Sequence, residues 1–384
     1  MSATNKKLGK IFNQVADAIE TGSFGEKTRV ILTTLGSEHG HKELVKGAEL
    51  AQSKSSDIEV VLIGPACETD LELHETDCEK EAHELMEKML KEGEADAAVT
   101  MHYNFPVGVS TVGRVVTPGV GKEMIIATTT GTTDTNRVGA MVKNAINGVS
   151  AAKSIGIKNP KVGILNVDGA RQTEKILKDL KDNGFDIEFT ESARADGGVV
   201  MRGNDLLLGT PDVMVTDTLT GNLLMKIFSS YTTGGGYEAM GYGYGPGVGP
   251  DFDMTICILS RASGAPVAAG AIRYAADAAQ GKVREVTDAN YKAANKAGLE
   301  DMIEELKNAV PSPDGEEVEK PEKVTVDEEI PGVDILQIDD AVKVLWKKDI
   351  YAETGMGCTG PVVLVPAAKA EKAKELLVEA GYVS

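Results

Sequence analysis

The residue best suited to covalent chemistry is Cys358, which lies in the segment Thr354–Pro361 (TGMGCTGP). Glycines on both sides leave little bulk over the sulfur and expose backbone N–H groups, a setting that favours a thiolate nucleophile. The N–H groups near Gly357 and Gly360 would stabilise the oxyanion of a tetrahedral intermediate. The alternative is a cysteine in a tight turn before a strand, since the sequence shows no partner histidine or asparagine.

A second set of candidates follows the predicted strands. Small hydrogen-bonding residues stand at the strand ends, again and again: Thr33, Thr100, Thr128, Asn166, Asp217 and Ser260. In open parallel sheets ligands bind beyond the carboxyl ends of the strands, where the N-termini of the following helices favour anions. The pattern therefore predicts a polar, N–H-rich anion pocket. For any single residue the alternative is ordinary capping of the next helix.

The remaining cysteines and the histidines show no metal-binding pattern. Cys67, Cys78 and Cys257 form neither a CxxC pair nor a zinc spacing, and Cys257 falls in an apolar strand, where a thiol behaves as core. The five histidines fit no zinc pattern either. We predict no metal and no cofactor, and thiols that remain reduced.

Composition and charge restrict the class of function. The 384 residues carry 40 basic and 59 acidic side chains, a formal charge of −19. Such a surface repels nucleic acid and anionic membranes, so we expect neither as a partner. No apolar signal segment or spanning run is present, which predicts a cytoplasmic protein. An anionic substrate would need a local basic pocket.

Strand, loop, helix and glycine stop alternate along most of the chain. Arg29–Leu32, Ile58–Ile63 and Lys161–Leu165 are typical buried strands, each followed by a stretch with helical spacing. Alternation of this kind predicts a three-layer α/β/α fold with a mostly parallel sheet and a cleft, plus a small C-terminal α/β module. The predicted divisions are an N-terminal helix (1–27), the main domain (28–285), an amphipathic helix (286–310), an acidic proline-rich linker (311–331) and the cysteine-bearing module (332–384).

Residues 231–249 have an unusual composition, with eight glycines and four tyrosines among nineteen residues. This predicts a long flexible loop with aromatic anchors, of the kind that forms lids or binds partners. The alternative is a loop that becomes ordered only in an oligomer interface.

Several motifs together resemble one enzyme family. The segments Gly156–Asn166, Asp212–Asp217 and Thr220–Lys226 are similar to those of bacterial phosphate acyltransferases of phospholipid synthesis. Leu259-Ser260-Arg261 resembles the phosphate-contacting Ser-Arg of the related phosphotransacetylases. This resemblance covers roughly residues 28–285. It implies an α/β/α fold whose cleft transfers acyl groups to or from phosphate.

The whole chain, including the Gly-Tyr segment and the turn at Cys358, resembles the alpha subunits of component C of glycine, sarcosine and betaine reductase complexes. That resemblance implies a catalytic subunit that accepts a two-carbon unit from carboxymethylated selenoprotein A and releases acetyl phosphate. It also implies a component C beta subunit as partner, in a homo- or hetero-oligomer, with inorganic phosphate as substrate.

The resemblance assigns roles to the candidate residues. Cys358 would carry the acetyl thioester, and Arg261 with Ser260 would bind the attacking phosphate, because a guanidinium matches phosphate bidentately. Asp217 would orient Arg261 or act as a base. The remaining cleft residues would be Asn222, Gly221, Asn166 and Thr130. Two alternatives stay open: a phosphotransacetylase or acyl-carrier phosphate acyltransferase acting alone, and a non-catalytic docking subunit.

Overall fold

The computed structural model describes residues 9, 12, 15–16, 19, 27–194, 197–308, 320–333, 337–357 and 360–383. The strands are β1 (Thr28–Thr33), β2 (Ile58–Gly64), β3 (Glu72–Glu75), β4 (Ala97–Thr100), β5 (Ser110–Val116), β6 (Glu123–Gly131), β7 (Lys161–Leu165), β8 (Glu188–Phe189), β9 (Val200–Met201), β10 (Val213–Val215), β11 (Gly245–Val248), β12 (Ile256–Ile258), β13 (Glu328–Pro331), β14 (Glu353–Gly357) and β15 (Gly360–Val365). The helices are α1 (His41–Lys54), α2 (Glu79–Glu92), α3 (Arg137–Ser154), α4 (Ala170–Asp182), α5 (Gly203–Leu208), α6 (Thr218–Ser230), α7 (Ala265–Gln280), α8 (Val283–Lys296), α9 (Leu299–Asn308), α10 (Ile338–Trp346) and α11 (Ala370–Glu379).

Among the described residues, twelve strands form one sheet in the order β3-β2-β1-β4-β12-β11-β5-β6-β10-β7-β8, with β9 also paired to β7. Neighbouring strands from β3 to β12 are parallel, and so are those from β6 to β8. Between the two parallel parts, β11 is antiparallel to both β12 and β5, and β5 is antiparallel to β6. These reversals make the two halves of the sheet run in opposite directions.

Helices cover both faces of the sheet because the strand side chains alternate between two cores. Val30 and Leu32 of β1 pack against α1 and α7, whereas Ile31 between them packs against α2. In the other half, α3 and α8 cover one face, and α6 covers the other with Met225 and Phe228. The predicted fold class, a mostly parallel sheet in an α/β/α arrangement, is therefore confirmed.

Two strands that the sequence analysis did not predict, β5 and β11, reverse the direction of the sheet. Gly245–Val248 lies in the segment predicted as a flexible loop, yet Gly247 pairs with Thr111 and Gly245 with Ile258. A side chain is excluded at Gly245, since a Cβ there would lie 1.8 Å from the Val112 carbonyl oxygen. The end of that segment is thus a central strand, and the absence of a side chain at Gly245 lets it lie between its two neighbours.

The C-terminal part forms a second, smaller sheet in the order β13-β15-β14, covered by α10 and α11 around a separate apolar core. Strand β13 falls within the span predicted as linker and pairs with β15. Residues 286–310, predicted as one amphipathic helix, differ as well: α8 and α9 are separated at Gly298, whose φ of +100° a continuous helix cannot adopt. The domain divisions themselves stay predictions, and most of residues 1–27 lie outside the described residues.

Candidate functional site

Helix α6 lies directly on the sheet and brings candidate residues from both halves together. Gly221 makes this close approach possible, because a Cβ at that position would lie 1.7 Å from the Thr128 carbonyl oxygen. One residue later, the Asn222 amide donates a hydrogen bond to the Thr129 carbonyl at 3.1 Å. Gly221 and Asn222, predicted as substrate-binding residues, thus attach α6 to the backbone of β6.

The N-terminal end of α6 carries Asp217 as its cap. The Asp217 carboxylate accepts hydrogen bonds from the Thr220 N–H at 3.0 Å and the Thr220 hydroxyl at 2.7 Å. It also faces Arg137 at 3.5 Å, a guanidinium that lies 3.7 Å from Asp168. The predicted role of orienting Arg261 therefore needs correction, because the carboxylate contacts Arg137 and the helix instead. The predicted role of Asp217 as a base stays a prediction.

Two further predicted residues lie near this N-terminal end. Thr130 is half-buried at the end of β6 and pairs with Thr111 of β5. Asn166 is exposed after β7, where its N–H donates to the Met201 carbonyl at 2.9 Å. Thr130 lies at the end of β6 and Asn166 follows β7, so both share one edge of the sheet with Asp217.

The C-terminal half of α6 meets the other predicted group. Lys226 lies nine residues after Asp217, about 13 Å farther along the helix axis. Its ammonium lies 3.5 Å from the Ser260 hydroxyl and 3.9 Å from a Glu238 carboxylate oxygen. The Ser260 oxygen also accepts a hydrogen bond from the Ala262 N–H at 3.2 Å.

Tyr244 is the buried member of the group formed with Lys226 and Ser260. Its side chain is only 4% exposed, and the Lys226 ammonium lies 5.9 Å from the centre of its ring. The phenol lies beside Ser260, yet its oxygen completes no hydrogen bond with any described residue. Burial, reinforced by the Glu238 carboxylate, raises the pKa of Tyr244 above its ordinary value, so the hydroxyl keeps its proton at neutral pH.

Arg261 follows Ser260 directly in the chain. Its side chain is exposed and forms no ion pair or hydrogen bond with the described residues, while its carbonyl accepts a hydrogen bond from the Glu38 N–H at 2.9 Å. Glu38 follows β1, so the loop after β1 is fixed to the loop after β12. The guanidinium is consequently available to an anion from solution.

The ten predicted site residues thus fall into separate groups. Asp217, Thr130 and Asn166 lie at one edge of the sheet, and Ser260 with Arg261 lies at the other, because the two halves of the sheet run in opposite directions. The expectation that all strand ends would converge in one pocket is wrong for that reason. Lys226, Glu238 and Tyr244 were missed as site residues, although Lys226 closes one of the motifs that carried the family resemblance.

The segment before Tyr244 is anchored at its aromatic residues, as its composition predicted. The Tyr237 hydroxyl donates to the Glu43 carboxylate at 2.7 Å, and the Ala265 N–H donates to the same carboxylate at 3.1 Å. Tyr242 donates to Glu123 and stacks on the Arg114 guanidinium at 4.1 Å. These contacts fix the segment to both halves of the sheet.

The predicted nucleophile, Cys358, lies outside the described residues. Its flanking glycines belong to the C-terminal sheet, where Gly357 of β14 pairs with Gly360 of β15. Among the other cysteines, Cys257 is fully buried, and burial raises the pKa of its thiol, which agrees with a core role. Cys78 is exposed immediately before α2.

The described residues contain no group of three or more histidine, cysteine, aspartate or glutamate side chains arranged to bind a metal ion. None of the described helices combines the length and apolar character needed to cross a bilayer.

Comparison with known proteins identifies relatives of the whole chain and of its main domain. A family model described as "Fatty acid synthesis protein" matches residues 28–364. The component C subunit alpha of the glycine/sarcosine/betaine reductase complex of Peptoclostridium acidaminophilum is 59% identical over 385 residues, with all of both chains covered. A phosphate acyltransferase of Bacillus cytotoxicus is 29% identical over 243 residues, covering 52% of this chain and 70% of that protein.

Among solved structures, a branched-chain phosphotransacylase from Enterococcus faecalis matches 66% of this chain and 99% of its own, with a TM-score of 0.48 and 15% identity. The match of the family model to most of the chain and the full-length identity of 59% decide the family. The chain belongs to the fatty acid synthesis protein family, within which it is a full-length relative of component C alpha subunits, as its motifs predicted.

Proposed function

We propose that this chain is a phosphate acyltransferase of a glycine, sarcosine or betaine reductase complex, and that it transfers an acetyl group from a protein thioester to inorganic phosphate. One observation carries the proposal. The Lys226 ammonium lies beside the Ser260 hydroxyl, 3.9 Å from a Glu238 carboxylate oxygen, and Arg261, the next residue in the chain after Ser260, adds an exposed guanidinium. A pair of cations in a protein with a charge of −19 favours an anionic ligand at that place.

The reaction needs no group beyond thiol, thioester and phosphate. An oxygen of hydrogen phosphate attacks the thioester carbonyl, the tetrahedral oxyanion collapses, and the carbon–sulfur bond breaks. Acetyl phosphate leaves, and the proton of the phosphate ends on the sulfur. Arg261 would bind two oxygens of the attacking phosphate, and the backbone near Gly357 and Gly360 would stabilise the oxyanion.

Cys358 is the proposed carrier of the acetyl group. The proposed donor is carboxymethylated selenoprotein A, and the proposed companion subunit is component C beta. The carboxymethyl group becomes the acetyl thioester of Cys358 when the selenium–carbon bond breaks, the selenium and a thiol of the selenoprotein are oxidised together to a selenenyl sulfide, and one water leaves. Support for membership of such a complex comes from the relative that is 59% identical over its full length. Support for transfer to phosphate comes from the phosphate acyltransferase relative, which matches 52% of the chain.

Isotope exchange tests the proposal directly. The purified chain is incubated with acetyl phosphate and ³²P-labelled inorganic phosphate, without coenzyme A or any other acyl acceptor. If the protein itself carries the acetyl group, label enters acetyl phosphate, and Cys358→Ser abolishes the exchange. Exchange that appears only when coenzyme A is added would instead identify a free-standing phosphotransacetylase. No exchange under any of these conditions, with component C beta added as well, would support a docking subunit.

A further inference from the structure

The group formed by Lys226, Tyr244 and Ser260 has more hydrogen-bond donors than acceptors. The Lys226 ammonium has three N–H donors, and its contacts at 3.5 and 3.9 Å are longer than a normal charge-assisted hydrogen bond of about 2.8 Å. Ser260 uses its oxygen to accept from Ala262, so its own proton is free to be donated. Tyr244 adds a buried hydroxyl that completes no hydrogen bond within the described residues.

The one nearby carboxylate is already engaged elsewhere. Glu238 is 3% exposed and accepts a hydrogen bond from the Ser263 hydroxyl at 2.9 Å. Its N–H donates to the Ala262 carbonyl and its carbonyl accepts from the Gly264 N–H, which fixes its backbone against the loop after β12. Glu238 therefore positions Lys226 without satisfying the other donors. A buried hydroxyl without an acceptor is unfavourable, so an acceptor from outside the chain would stabilise the group.

We propose that Lys226, Tyr244 and Ser260 bind a tetrahedral oxyanion, with Lys226 and Tyr244 as binding residues additional to Ser260 and Arg261. The ligand is inorganic phosphate or the phosphoryl group of an acyl phosphate, an identification that rests on the proposed function. Three donors converge from α6, from the residue before β11 and from the second residue after β12. The site is therefore formed only when both halves of the sheet are in place.

Equilibrium binding of phosphate to the full chain tests the site without turnover. Binding of ³²P-labelled inorganic phosphate is measured by equilibrium dialysis for the wild type, Lys226→Gln, Lys226→Arg and Tyr244→Phe. Loss of a charge-assisted hydrogen bond predicts binding weaker by about tenfold or more in Lys226→Gln, and loss of a neutral one predicts about threefold to tenfold in Tyr244→Phe. Lys226→Arg keeps the charge and should bind more tightly than Lys226→Gln.

Lys175→Gln is the matched control, since Lys175 is an exposed lysine of α4 on the other face of the sheet. It removes the same charge and should bind phosphate as the wild type does. Circular dichroism and the rise in melting temperature with added phosphate separate weak binding from misfolding, because a ligand of the folded state raises its stability. Phosphate affinities of Lys226→Gln and Tyr244→Phe within twofold of the Lys175→Gln value would overturn the proposal.

The binding result and the exchange result are independent. Phosphate binding that depends on Lys226 and Tyr244, combined with no isotope exchange, would retain this site and reject the proposed reaction. Exchange that depends on Cys358, combined with unaltered phosphate binding in Lys226→Gln and Tyr244→Phe, would retain the reaction and reject this site.

Discussion

The Lys226 ammonium lies 3.5 Å from the Ser260 hydroxyl, although the two residues belong to opposite halves of the sheet. Lys226 is on a helix that packs against β6, and Ser260 follows β12, which runs in the opposite direction to β6. This contact places an ammonium beside the Ser-Arg pair. Together with Lys226, the Ser260-Arg261 motif forms a candidate phosphate site.

The first prediction concerns Arg261. Replacing Arg261 with Gln removes an exposed guanidinium that is free of ion pairs to the described residues, so folding stability should be nearly unchanged. The KM for phosphate in acetyl-phosphate exchange should rise by about tenfold or more, since a charge-assisted contact is lost, while kcat changes less. Arg171→Gln, which replaces an exposed arginine of α4, is the control. An unchanged phosphate KM in Arg261→Gln would remove this residue from the site.

The second prediction concerns the acetyl carrier. Cys358→Ser should lose iodoacetate labelling at that peptide and all exchange of phosphate into acetyl phosphate, because a serine hydroxyl is a far weaker nucleophile than a thiolate. Peptide mapping after incubation with labelled acetyl phosphate should locate the acetyl group in the peptide that contains Cys358. Cys78→Ser, which removes an exposed thiol before α2, should keep full exchange. Full activity in Cys358→Ser would refute the assignment.

The third prediction concerns the contact between α6 and the sheet. A methyl group at position 221 would meet the Thr128 carbonyl oxygen at 1.7 Å, a backbone atom that cannot give way easily. Gly221→Ala should therefore lower the free energy of unfolding by about 3 kcal/mol or more, measured by urea titration. Gly203→Ala is the control, because a Cβ there meets nothing within 4 Å. Equal urea midpoints for the two variants would contradict this account.

The fourth prediction concerns the pH dependence of the Glu43 contacts. The Tyr237 hydroxyl and, next, the Ala265 N–H hold the pKa of Glu43 below its usual 4.5. Because the folded pKa is the lower one, the carboxylate contributes stability above pH 4.5, and that contribution is lost as pH falls through the folded pKa. The difference in unfolding free energy between wild type and Glu43→Gln should be constant from pH 7 to about pH 5 and shrink at lower pH.

Glu68→Gln provides the baseline for that measurement, since Glu68 is exposed in a loop. Lowering the pH also relieves the repulsion within a chain of charge −19, and this general effect is common to all three proteins. Comparing the variants at each pH isolates the Glu43 contribution. A wild-type to Glu43→Gln difference that stays flat down to pH 3.5, like that of Glu68→Gln, would show that the Tyr237 contact adds nothing to stability.

The strands and helices whose apolar residues recur with a single regular spacing were predictable from sequence. Largely apolar runs such as Ile58–Ile63 are strands, and the glycine stop at Gly93 ends α2 with a left-handed φ of +71°. The direction of the second half of the sheet was not predictable. It depends on β5 and β11, and the sequence of β11 is Gly-Pro-Gly-Val, which resembles a loop more than a strand.

The candidate site was predictable only in part, for a related reason. Ser260 and Arg261 carry a recognisable motif, so their presence at a strand end followed from sequence. The contact with Lys226 depends on where α6 lies over the sheet, which no local pattern contains. Tyr244 was one of four tyrosines in a glycine-rich segment, and only burial distinguishes its hydroxyl from the others.

The approach of Gly221 to the Thr128 carbonyl oxygen has a consequence for selectivity. Since main chain meets main chain there, the height of α6 above the sheet is set by atoms that every amino acid shares. Exchanging neighbouring side chains can change the lining of the proposed anion site, but it cannot increase the distance between α6 and the sheet. In the proposed anion site, the distance between Lys226 and the sheet would therefore be limited by the backbone.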